Sequence, residues 1–325
     1  MKIIQIDEFG EPDVLKVREV ARPEIQADDE VLVRVHAAGV NFFEVLMRRN
    51  RYAVTPPLPA RFGVEVAGII EAAGGRSRLD VGSRVAVPLF AYGRDGGYAD
   101  YVVAKDAACI PLPDNVPFDA GVALQVQGLT ALHAIRQTSP EGRSVLVTAA
   151  GGGVGTLLIQ LARQAGARRI VALAGSREKL DAALSLGADA AVNHRDDDWL
   201  TQCAAASGGD GFSIVYDFVG GNFSKPLTTL LAPMGILLFG ALGRFALDTG
   251  AMNALLARGQ TVKGFALIPL LQAGNPQQDL AELFELTANR KLTPVIAAGF
   301  ALEQAADAHR LSEARASIGK IVLHP

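Results

Sequence analysis

A glycine-rich segment near the middle of the chain has residues that could hold a dinucleotide pyrophosphate. Residues 149–155 read Ala-Ala-Gly-Gly-Gly-Val-Gly. A backbone that approaches a phosphate needs positions without a Cβ, and the free N–H groups and dipole of a helix N-terminus attract its charge. Gly152 would allow this approach, and Gly155 would let the helix pack closely on the preceding strand. The residues predicted to bind the pyrophosphate are Ala150, Gly152, Gly153 and Val154.

The elements on either side of this turn must position it. Ser144–Thr148 is apolar and rich in β-branched residues, which predicts a buried strand, and Thr156–Gln164 has leucines at helical spacing. Gly166 can end that helix, and Ile170–Ala174 predicts a second strand. Strand, glycine turn, helix and strand form a βαβ unit, the context in which a Gly-x-Gly-x-x-Gly pattern is informative. Ala150 occupies the first position of that pattern.

The residues after the second strand would choose the dinucleotide. A carboxylate about 20 residues past the glycines would bind a ribose 2′-hydroxyl and repel a 2′-phosphate. The sequence there reads Gly175-Ser176-Arg177-Glu178-Lys179. Ser176 offers a hydroxyl, and Arg177 and Lys179 offer positive charge, so this stretch favours NADPH over NADH. The alternative is a solvated helix N-terminus with ordinary surface charge.

Composition limits the class of protein. The chain has 325 residues, of which 50% are hydrophobic and 20% charged, with a net charge of −3. This is enough for two domains, and no basic block indicates a nucleic acid or membrane partner. Cys109 and Cys203 are far apart, which suits a reducing cytoplasm, and the N-terminal residues lack the apolar run of a signal peptide. Pro226–Gly243 has no charged residue, but its glycines and Pro233 favour a helix ending near Ala232, a turn at Pro233–Gly235 and a buried strand over a membrane span.

The predicted fold class is α/β, in two domains. Residues 1–120 have short strands between glycine- and proline-rich turns, which predicts a partly open β-barrel. Residues 121–267 alternate strands and helices, beginning with helices at Asp119–Val126 and Thr130–Ile135, which predicts a doubly wound parallel sheet. Residues 268–325 are expected to return to the first domain. The strands predicted in the first domain are Lys2–Ile6, Glu30–Ala38, Val66–Ala73, Arg84–Leu89 and Tyr98–Ala104.

Short blocks in the right order resemble the medium-chain dehydrogenase/reductase superfamily over nearly the whole chain. Besides the glycine turn, they are residues 38–41 (AGVN), 63–68 (GVEVAG), 81–85 (VGSRV), 96–101 (GGYADY), 128–131 (GLTA), 186–189 (LGAD), 217–221 (DFVGG) and 319–320 (GK). The resemblance implies a GroES-like barrel domain joined to a Rossmann domain that binds NADPH. It also implies a homodimer, in which strands near Ile236–Phe239 and Thr261–Phe265 lie where relatives pair edge to edge.

Within that superfamily the chain looks like the zinc-independent quinone oxidoreductase branch, the zeta-crystallin-like proteins. The catalytic zinc positions of the alcohol dehydrogenase branch fall on Asn41, Val64 and Val126 or its neighbour, which supply no thiolate or imidazole. Residues 88–97 contain no cysteine for a structural zinc. The resemblance implies hydride addition to an electrophilic acceptor, a quinone or a conjugated enone, since neither needs a Lewis acid.

The branch motifs imply the site residues. Asn41 is expected to donate hydrogen bonds near the nicotinamide ribose or the acceptor oxygen. Tyr52 is expected at the substrate mouth, where it could donate a proton or simply pack, and solvent could supply the proton instead. Glu65 is expected to be a buried structural carboxylate. The Asn-x-x-Asp and Arg-x-Gly-x-Tyr motifs of the branch read here with Glu44 for the acid and Asn50 for the glycine.

The resemblance also places the remaining cofactor contacts. His194 would close the phosphate pocket in place of a tyrosine, and Thr130 would cap the helix that faces the nicotinamide. Lys320 would reach the cofactor from the returning C-terminus. Val219 is a further expected cofactor contact. The residues expected to flank the nicotinamide with backbone groups are Phe239, Gly240, Ala241, Phe265, Ala266 and Leu267.

Other functions remain open at this point. An enoyl thioester reductase would favour a basic approach to the site, and Arg48, Arg49 and Arg51 could form one. A non-catalytic nucleotide-binding or structural protein could keep the same fold. A zinc alcohol dehydrogenase is the most distant alternative.

Overall fold

The computed structural model describes all 325 residues, which form two compact units. The strands are β1 (Lys2–Ile6), β2 (Lys16–Glu19), β3 (Glu30–Val40), β4 (Ala60–Arg61), β5 (Val66–Ala73), β6 (Arg84–Val87), β7 (Tyr101–Lys105), β8 (Ile110–Pro111), β9 (Ser144–Thr148), β10 (Arg169–Ala174), β11 (Ala190–Asn193), β12 (Phe212–Asp217), β13 (Leu231–Phe239), β14 (Thr261–Gly264), β15 (Ile296–Ala301) and β16 (Lys320–His324). The helices are α1 (Phe42–Arg48), α2 (Phe118–Ala123), α3 (Leu129–Thr138), α4 (Gly153–Gln164), α5 (Arg177–Ser185), α6 (Trp199–Ala206), α7 (Ser224–Thr229), α8 (Thr249–Ala257), α9 (Leu267–Ala273), α10 (Pro276–Ala288) and α11 (Ala305–Glu313).

Residues 130–270 form a unit around a six-stranded sheet. Its strand order is β11-β10-β9-β12-β13-β14, and every adjacent pair is parallel. This is the doubly wound order of a dinucleotide-binding fold, in which ligands bind at the carboxyl ends of the strands. The apolar runs that predict β9 and β10 are buried inside it, including Leu146, Val171 and Leu173. The predicted βαβ unit is confirmed, with α4 beginning at Gly153 instead of Thr156.

The uncharged segment of this unit folds into a helix and a strand. The predicted helix end near Ala232 and turn at Pro233–Gly235 are wrong, because α7 ends at Thr229 and β13 already begins at Leu231. Pairing with β12 jumps from Leu231 to Ile236, so the residues between form an irregularity within the strand. Pro233 lacks the N–H that a regular ladder needs. No helix of the chain is both long enough and apolar enough to cross a bilayer.

Residues 1–129 and 271–325 form the other unit. Its larger sheet runs β15-β16-β3-β5-β6-β8, with β7 also paired to β3, and a smaller sheet runs β2-β1-β4. All pairs except β15–β16 are antiparallel. The predicted strand Tyr98–Ala104 begins later, at Tyr101, because the Tyr98 N–H is bonded to the Phe62 carbonyl outside any strand ladder. The α/β fold class is confirmed, with the short strands of the first domain arranged in two sheets.

Residues 118–138 form one continuous helical stretch where two helices are predicted. A five-residue π-turn, Leu124–Gly128, joins α2 to α3. Thr130 is therefore the second residue of α3 within this stretch, and the prediction that it caps a helix is wrong. The two units meet in the sequence at 129/130 and 270/271, whereas the predicted boundaries follow residues 120 and 267.

Candidate active site

The glycine turn after β9 is built on close backbone contacts. The Gly152 N–H donates to the Ala149 carbonyl at 2.8 Å, and α4 starts at the next residue. A Cβ on Gly155 would lie 2.4 Å from the Ala149 oxygen and 2.7 Å from Ala150 Cα, so the predicted close packing at Gly155 is confirmed. The left-handed residue of the turn is Ala149, with φ 47°, whereas Gly152 has an ordinary φ of −81°. The first N–H groups of α4 have no partner within the helix and face the space that an anion would occupy.

The ends of β10 and β11 bring two further residues together beside Gly175. A Cβ on Gly175 would lie 2.6 Å from His194 Nε2 and 3.3 Å from Arg195 Nε. The His194 ring packs edge-on against Phe223, with centroids 5.1 Å apart. The predicted residue His194 is therefore beside Gly175, and Arg195 joins it. Sequence reasoning missed Arg195, although it directly follows the predicted residue His194.

The first turn of α5 carries mixed charge. Arg177 is 84% exposed and pairs with Asp181 one turn along the helix, with Nε–Oδ1 at 2.9 Å. The Glu178 backbone N–H and the Ser176 hydroxyl lower the pKa of the Glu178 carboxyl, so this acid faces Ser176. The Lys179 side chain lies against Gly151, since a Cβ there would come within 2.7 Å of Lys179 Cγ. Lys179 thus links the pyrophosphate turn to the ribose end of the site.

The ends of β12, β13 and β14 form the other half of this edge. The buried Asp217 carboxylate accepts the N–H groups of Val219 and Gly220, each at 2.9 Å, and so fixes the loop after β12. The Phe218 ring fills the space beside Gly240, where a Cβ would lie 2.3 Å from it. Phe218 also packs edge-on against Phe265, with centroids 5.6 Å apart. The predicted cofactor contacts Val219, Phe239, Gly240, Ala241 and Phe265 therefore share one edge of the sheet, and Ala266 and Leu267 follow directly.

A buried hydrogen-bond network occupies the other unit. The Asn41 side chain donates from Nδ2 to Glu65 Oε1 at 2.9 Å and to Glu44 Oε2 at 3.2 Å. Its Oδ1 accepts from Lys320 Nζ at 2.8 Å, and Lys320 also forms an ion pair with Glu65. Asn41 is 2% exposed and Lys320 is 1% exposed. The Asn41 amide and the Lys320 ammonium thus both use their donors inside this unit. This differs from the sequence prediction, in which Asn41 donates to the cofactor or acceptor and Lys320 reaches the cofactor.

The Glu65 carboxylate has a further partner. Its Oε2 accepts the Val126 N–H at 2.8 Å, so it supplies an acceptor to the π-turn before α3. A Cβ on Gly39 would lie 2.2 Å from Glu65 Oε1, which explains the glycine at that position. Glu65 is the buried, hydrogen-bonded carboxylate that the sequence predicts.

Glu44 is also buried, without a cation bonded to it. It accepts hydrogen bonds from the N–H groups of Asn41 and Gly63 at 3.0 and 2.9 Å and from the Tyr98 hydroxyl at 3.2 Å. Burial raises the pKa of Glu44 to about 7. The Tyr98 hydroxyl also lies 3.4 Å from His309 Nε2, and burial lowers the pKa of His309 to about 3. Glu44, Tyr98 and His309 therefore form a chain in which Glu44 is the group that titrates near neutral pH.

Tyr52 lies just beyond α1. Its ring stacks on Phe43 with centroids 5.7 Å apart, and its hydroxyl makes no hydrogen bond within the chain. Partial burial raises the pKa of the hydroxyl. Asn50, which replaces a glycine of the related motif, takes a φ of 51°, a conformation that asparagine tolerates better than most residues. The turn that presents Tyr52 is therefore compatible with Asn50.

The three arginines near Tyr52 do not form a basic approach to the site. Arg48 is fully buried, donates to the Gly10 carbonyl at 2.7 Å and forms an ion pair with Glu313. Arg49 pairs with Glu11 at 2.5 Å and contacts Glu313 at 3.4 Å. Only Arg51 is exposed. The run of arginines by itself suggests a basic surface cluster, which the structure does not contain. The sequence does not reveal this because the partner Glu313 is distant along the chain.

Comparisons with known proteins agree with this architecture. Residues 27–114 match the alcohol dehydrogenase GroES-like domain family, and residues 186–323 match a family described as zinc-binding dehydrogenase. Human quinone oxidoreductase is 32% identical over 328 residues, which cover 99% of this chain and 97% of the relative.

The chain belongs to the quinone oxidoreductase family. It is thus an oxidoreductase of the medium-chain dehydrogenase/reductase superfamily. Among solved structures, the quinone oxidoreductase of Pseudomonas syringae pv. Tomato DC3000 is 32% identical with a TM-score of 0.88, covering 100% of this chain and 99% of the other. Escherichia coli quinone oxidoreductase, solved in complex with NADPH, is 27% identical with a TM-score of 0.88 and full coverage of both chains.

At the three positions where the alcohol dehydrogenase branch would place its catalytic zinc ligands, this chain has Asn41, Val64 and Val126. Asn41 Nδ2 bonds Glu65 there, Val126 contributes only a backbone N–H, and the Val64 side chain is apolar and buried. No group of three or more histidine, cysteine or acidic side chains in the chain is arranged to hold a metal ion.

Proposed function

We propose that the protein is a zinc-independent, NADPH-dependent oxidoreductase that transfers a hydride to a quinone or an α,β-unsaturated carbonyl. The observation that carries the choice of NADPH is a group of nitrogen-bearing side chains just after the carboxyl ends of β10 and β11. Lys179, His194 and Arg195 lie there beside Gly151 and Gly175. A 2′-phosphate needs such donors, whereas a free ribose hydroxyl needs an acceptor.

The rest of the carboxyl edge fits a dinucleotide. The Gly155 contact holds α4 close to the glycine turn, so its first N–H groups can bind the pyrophosphate. The loop after β12, fixed by Asp217, and the Phe218–Phe265 pair would bound the nicotinamide end. NADPH binding by the Escherichia coli relative supports the same assignment. When bound, NADPH supplies the hydride.

The donor set supports a reaction without zinc. Neither valine nor an asparagine with both amide donors in use offers the thiolate or imidazole that zinc prefers. The acceptor must then be electrophilic by itself, which is true of quinones and conjugated carbonyls. Reduction of a quinone takes one hydride and one proton and gives a hydroquinone. The chain would orient the acceptor and exclude water from it.

Two residues have distinct proposed roles in this reaction. Tyr52 is a candidate to bind the acceptor oxygen or to deliver the proton, since its hydroxyl has no partner within the chain. Asn41 is a positioning residue, because Lys320, Glu44 and Glu65 fix its amide. Solvent could also protonate the product, so Tyr52→Phe separates the possibilities. An unchanged turnover with a benzoquinone would leave Tyr52 as a packing residue.

Steady-state oxidation of NADPH and NADH with a benzoquinone tests the proposal. We expect Arg195→Ala to raise KM for NADPH at least about tenfold, with little change for NADH, because Arg195 lies beside Gly175 at the proposed 2′-phosphate position. Arg168→Ala is the charge-matched control, since Arg168 is exposed at the opposite, amino end of β10. Equal losses for both dinucleotides would contradict the phosphate assignment. Full activity that requires bound zinc would contradict the mechanism.

The acceptor class is the less constrained part of the proposal. An enoyl thioester remains the second candidate, although the burial of Arg48 removes one of the arginines that favoured it. Tight NADPH binding without turnover of quinones, enals or enoyl thioesters would instead favour a non-catalytic nucleotide-binding protein.

Assembly and location are further proposals. β14 ends the six-stranded sheet, so a homodimer could extend the sheet through this edge, and light scattering of the pure protein would test it. Cys109 and Cys203 are both unpaired thiols, which suits a cytoplasmic protein.

A further inference from the structure

His194 and Arg195 lie together beside Gly175, just after the end of β10. Both side chains approach Gly175 closely. A Cβ built on Gly175 would lie 2.6 Å from His194 Nε2 and 3.3 Å from Arg195 Nε. The His194 backbone N–H donates to the Ala174 carbonyl at 2.9 Å, which fixes this residue at the sheet edge. Phe223 packs edge-on against the imidazole and holds its orientation. The site thus contains one guanidinium and one imidazole.

Several other charged groups lie around His194. Arg195, Arg177 and Lys179 are the cations, and Arg177 forms an ion pair with Asp181. Glu178, which faces Ser176, stays ionised because its pKa is lowered. Asp196, Asp197 and Asp198 follow on the same loop as the imidazole. Among these groups His194 is the one imidazole, the type of side chain that ordinarily changes its charge between about pH 5 and pH 8.

We propose that His194 makes the selectivity for a 2′-phosphorylated adenosine pH-dependent, with Arg195 supplying the pH-independent part. The inference rests on the proposed NADPH site and names its regulation. A protonated imidazole forms a charge-assisted hydrogen bond to phosphate, about twice as strong as a neutral one. Protonation of His194 therefore offsets the loss of affinity that the phosphate itself suffers when its second ionisation, near pH 6, is reversed.

Binding of two small adenosine nucleotides isolates this effect from catalysis. The probes are adenosine 2′,5′-bisphosphate and adenosine 5′-monophosphate, which differ only in the 2′-phosphate, and the readout is Kd by calorimetry from about pH 8 to about pH 5.5. The ratio of the two Kd values measures selectivity for the 2′-phosphate. His194→Gln is the matched variant, because glutamine keeps an N–H donor and does not titrate.

The test compares how the selectivity for the 2′-phosphate changes with pH in the wild-type protein and in His194→Gln. The selectivity of the wild-type protein divided by that of His194→Gln should rise about fivefold from the upper to the lower pH. Arg195→Gln should lower selectivity about tenfold at every pH and leave that rise in place. An unchanged Kd for the 5′-monophosphate shows that each variant keeps the adenosine site.

The negative outcomes are separable. Parallel curves for the wild type and His194→Gln would overturn the role of His194 while leaving the NADPH site intact. A wild-type selectivity near one at the upper pH would instead contradict the proposed 2′-phosphate site itself.

Discussion

The ion pair between Lys320 and Glu65 gives the sharpest stability prediction. Both side chains are completely buried, so removing one charge leaves the other without a counter-charge in a low-dielectric interior. Lys320→Met keeps the length of the aliphatic stem and leaves the Glu65 carboxylate with only the Asn41 and Val126 N–H groups. The expected cost is about 3–5 kcal/mol of unfolding free energy. Glu65→Gln should cost a similar amount, because it strands the ammonium.

The double variant distinguishes an ion pair from two unrelated packing residues. Lys320→Met/Glu65→Gln removes both charges and keeps an acceptor for the π-turn. Its cost should be smaller than the sum of the single costs by at least about 2 kcal/mol. Lys105→Met is the matched control: its ammonium pairs with Asp29 at 2.8 Å but is 47% exposed, so the loss should stay below about 1 kcal/mol.

Urea unfolding followed by circular dichroism is the assay. The single tryptophan, Trp199, lies in the unit of residues 130–270 and provides a second probe by fluorescence. Coincident transitions would justify a two-state free energy, and separate transitions would assign the change to one unit. Additive costs, within about 0.5 kcal/mol, would refute the reasoning, since independent sites add.

Three further predictions follow from the contacts described above. Between about pH 4.5 and pH 7 the folded state keeps the Glu44 proton that the unfolded state loses, so the stability of the wild type relative to Glu44→Gln should fall by up to about 3 kcal/mol as pH rises in pH-dependent urea unfolding; buried His309 contributes a slope of opposite sign to both proteins, so the difference between the two curves is the readout. Gly155→Ala, whose Cβ would meet the Ala149 carbonyl oxygen at 2.4 Å, should lower the midpoint of urea unfolding far more than Gly152→Ala, whose Cβ would lie 3.2 Å from the same oxygen; equal effects would contradict this packing. Arg48→Met should cost about 3 kcal/mol in urea unfolding because Arg48 is buried and paired, whereas the more exposed Arg49→Met should cost less than about 1 kcal/mol.

The sequence predicts best where one segment determines its own structure. The β9 strand, the glycine turn, α4 and β10 depend on local periodicity and on glycines within about 30 residues, and the structure contains all four. Even there, the left-handed residue of the turn is Ala149 and not one of its glycines. Periodicity shows which residues face the core and does not show which residue of a turn bends.

Long-range pairing explains what the sequence does not reveal. Arg48 resembles a surface charge in its local run, and its burial depends on Glu313 near the other end of the chain. Lys320 and Asn41 come from opposite ends of the chain, and a prediction based on resemblance alone directs both toward a cofactor instead of toward Glu65. Arg195 was missed for a different reason. Its neighbour His194 is predicted from a motif, but only the fold shows that Arg195 turns to the same face of Gly175.

The place of β16 has a consequence for the order in which the chain can fold. This last strand lies between β15 and β3 in the larger sheet, and it carries the ammonium that balances Glu65. During synthesis, all six strands of the parallel sheet, residues 144–264, emerge before β16. The nucleotide-binding unit can therefore fold before β16 is synthesised, whereas the larger sheet of the other unit cannot be completed until then. The part of the protein that is translated first is thus the part that is completed last.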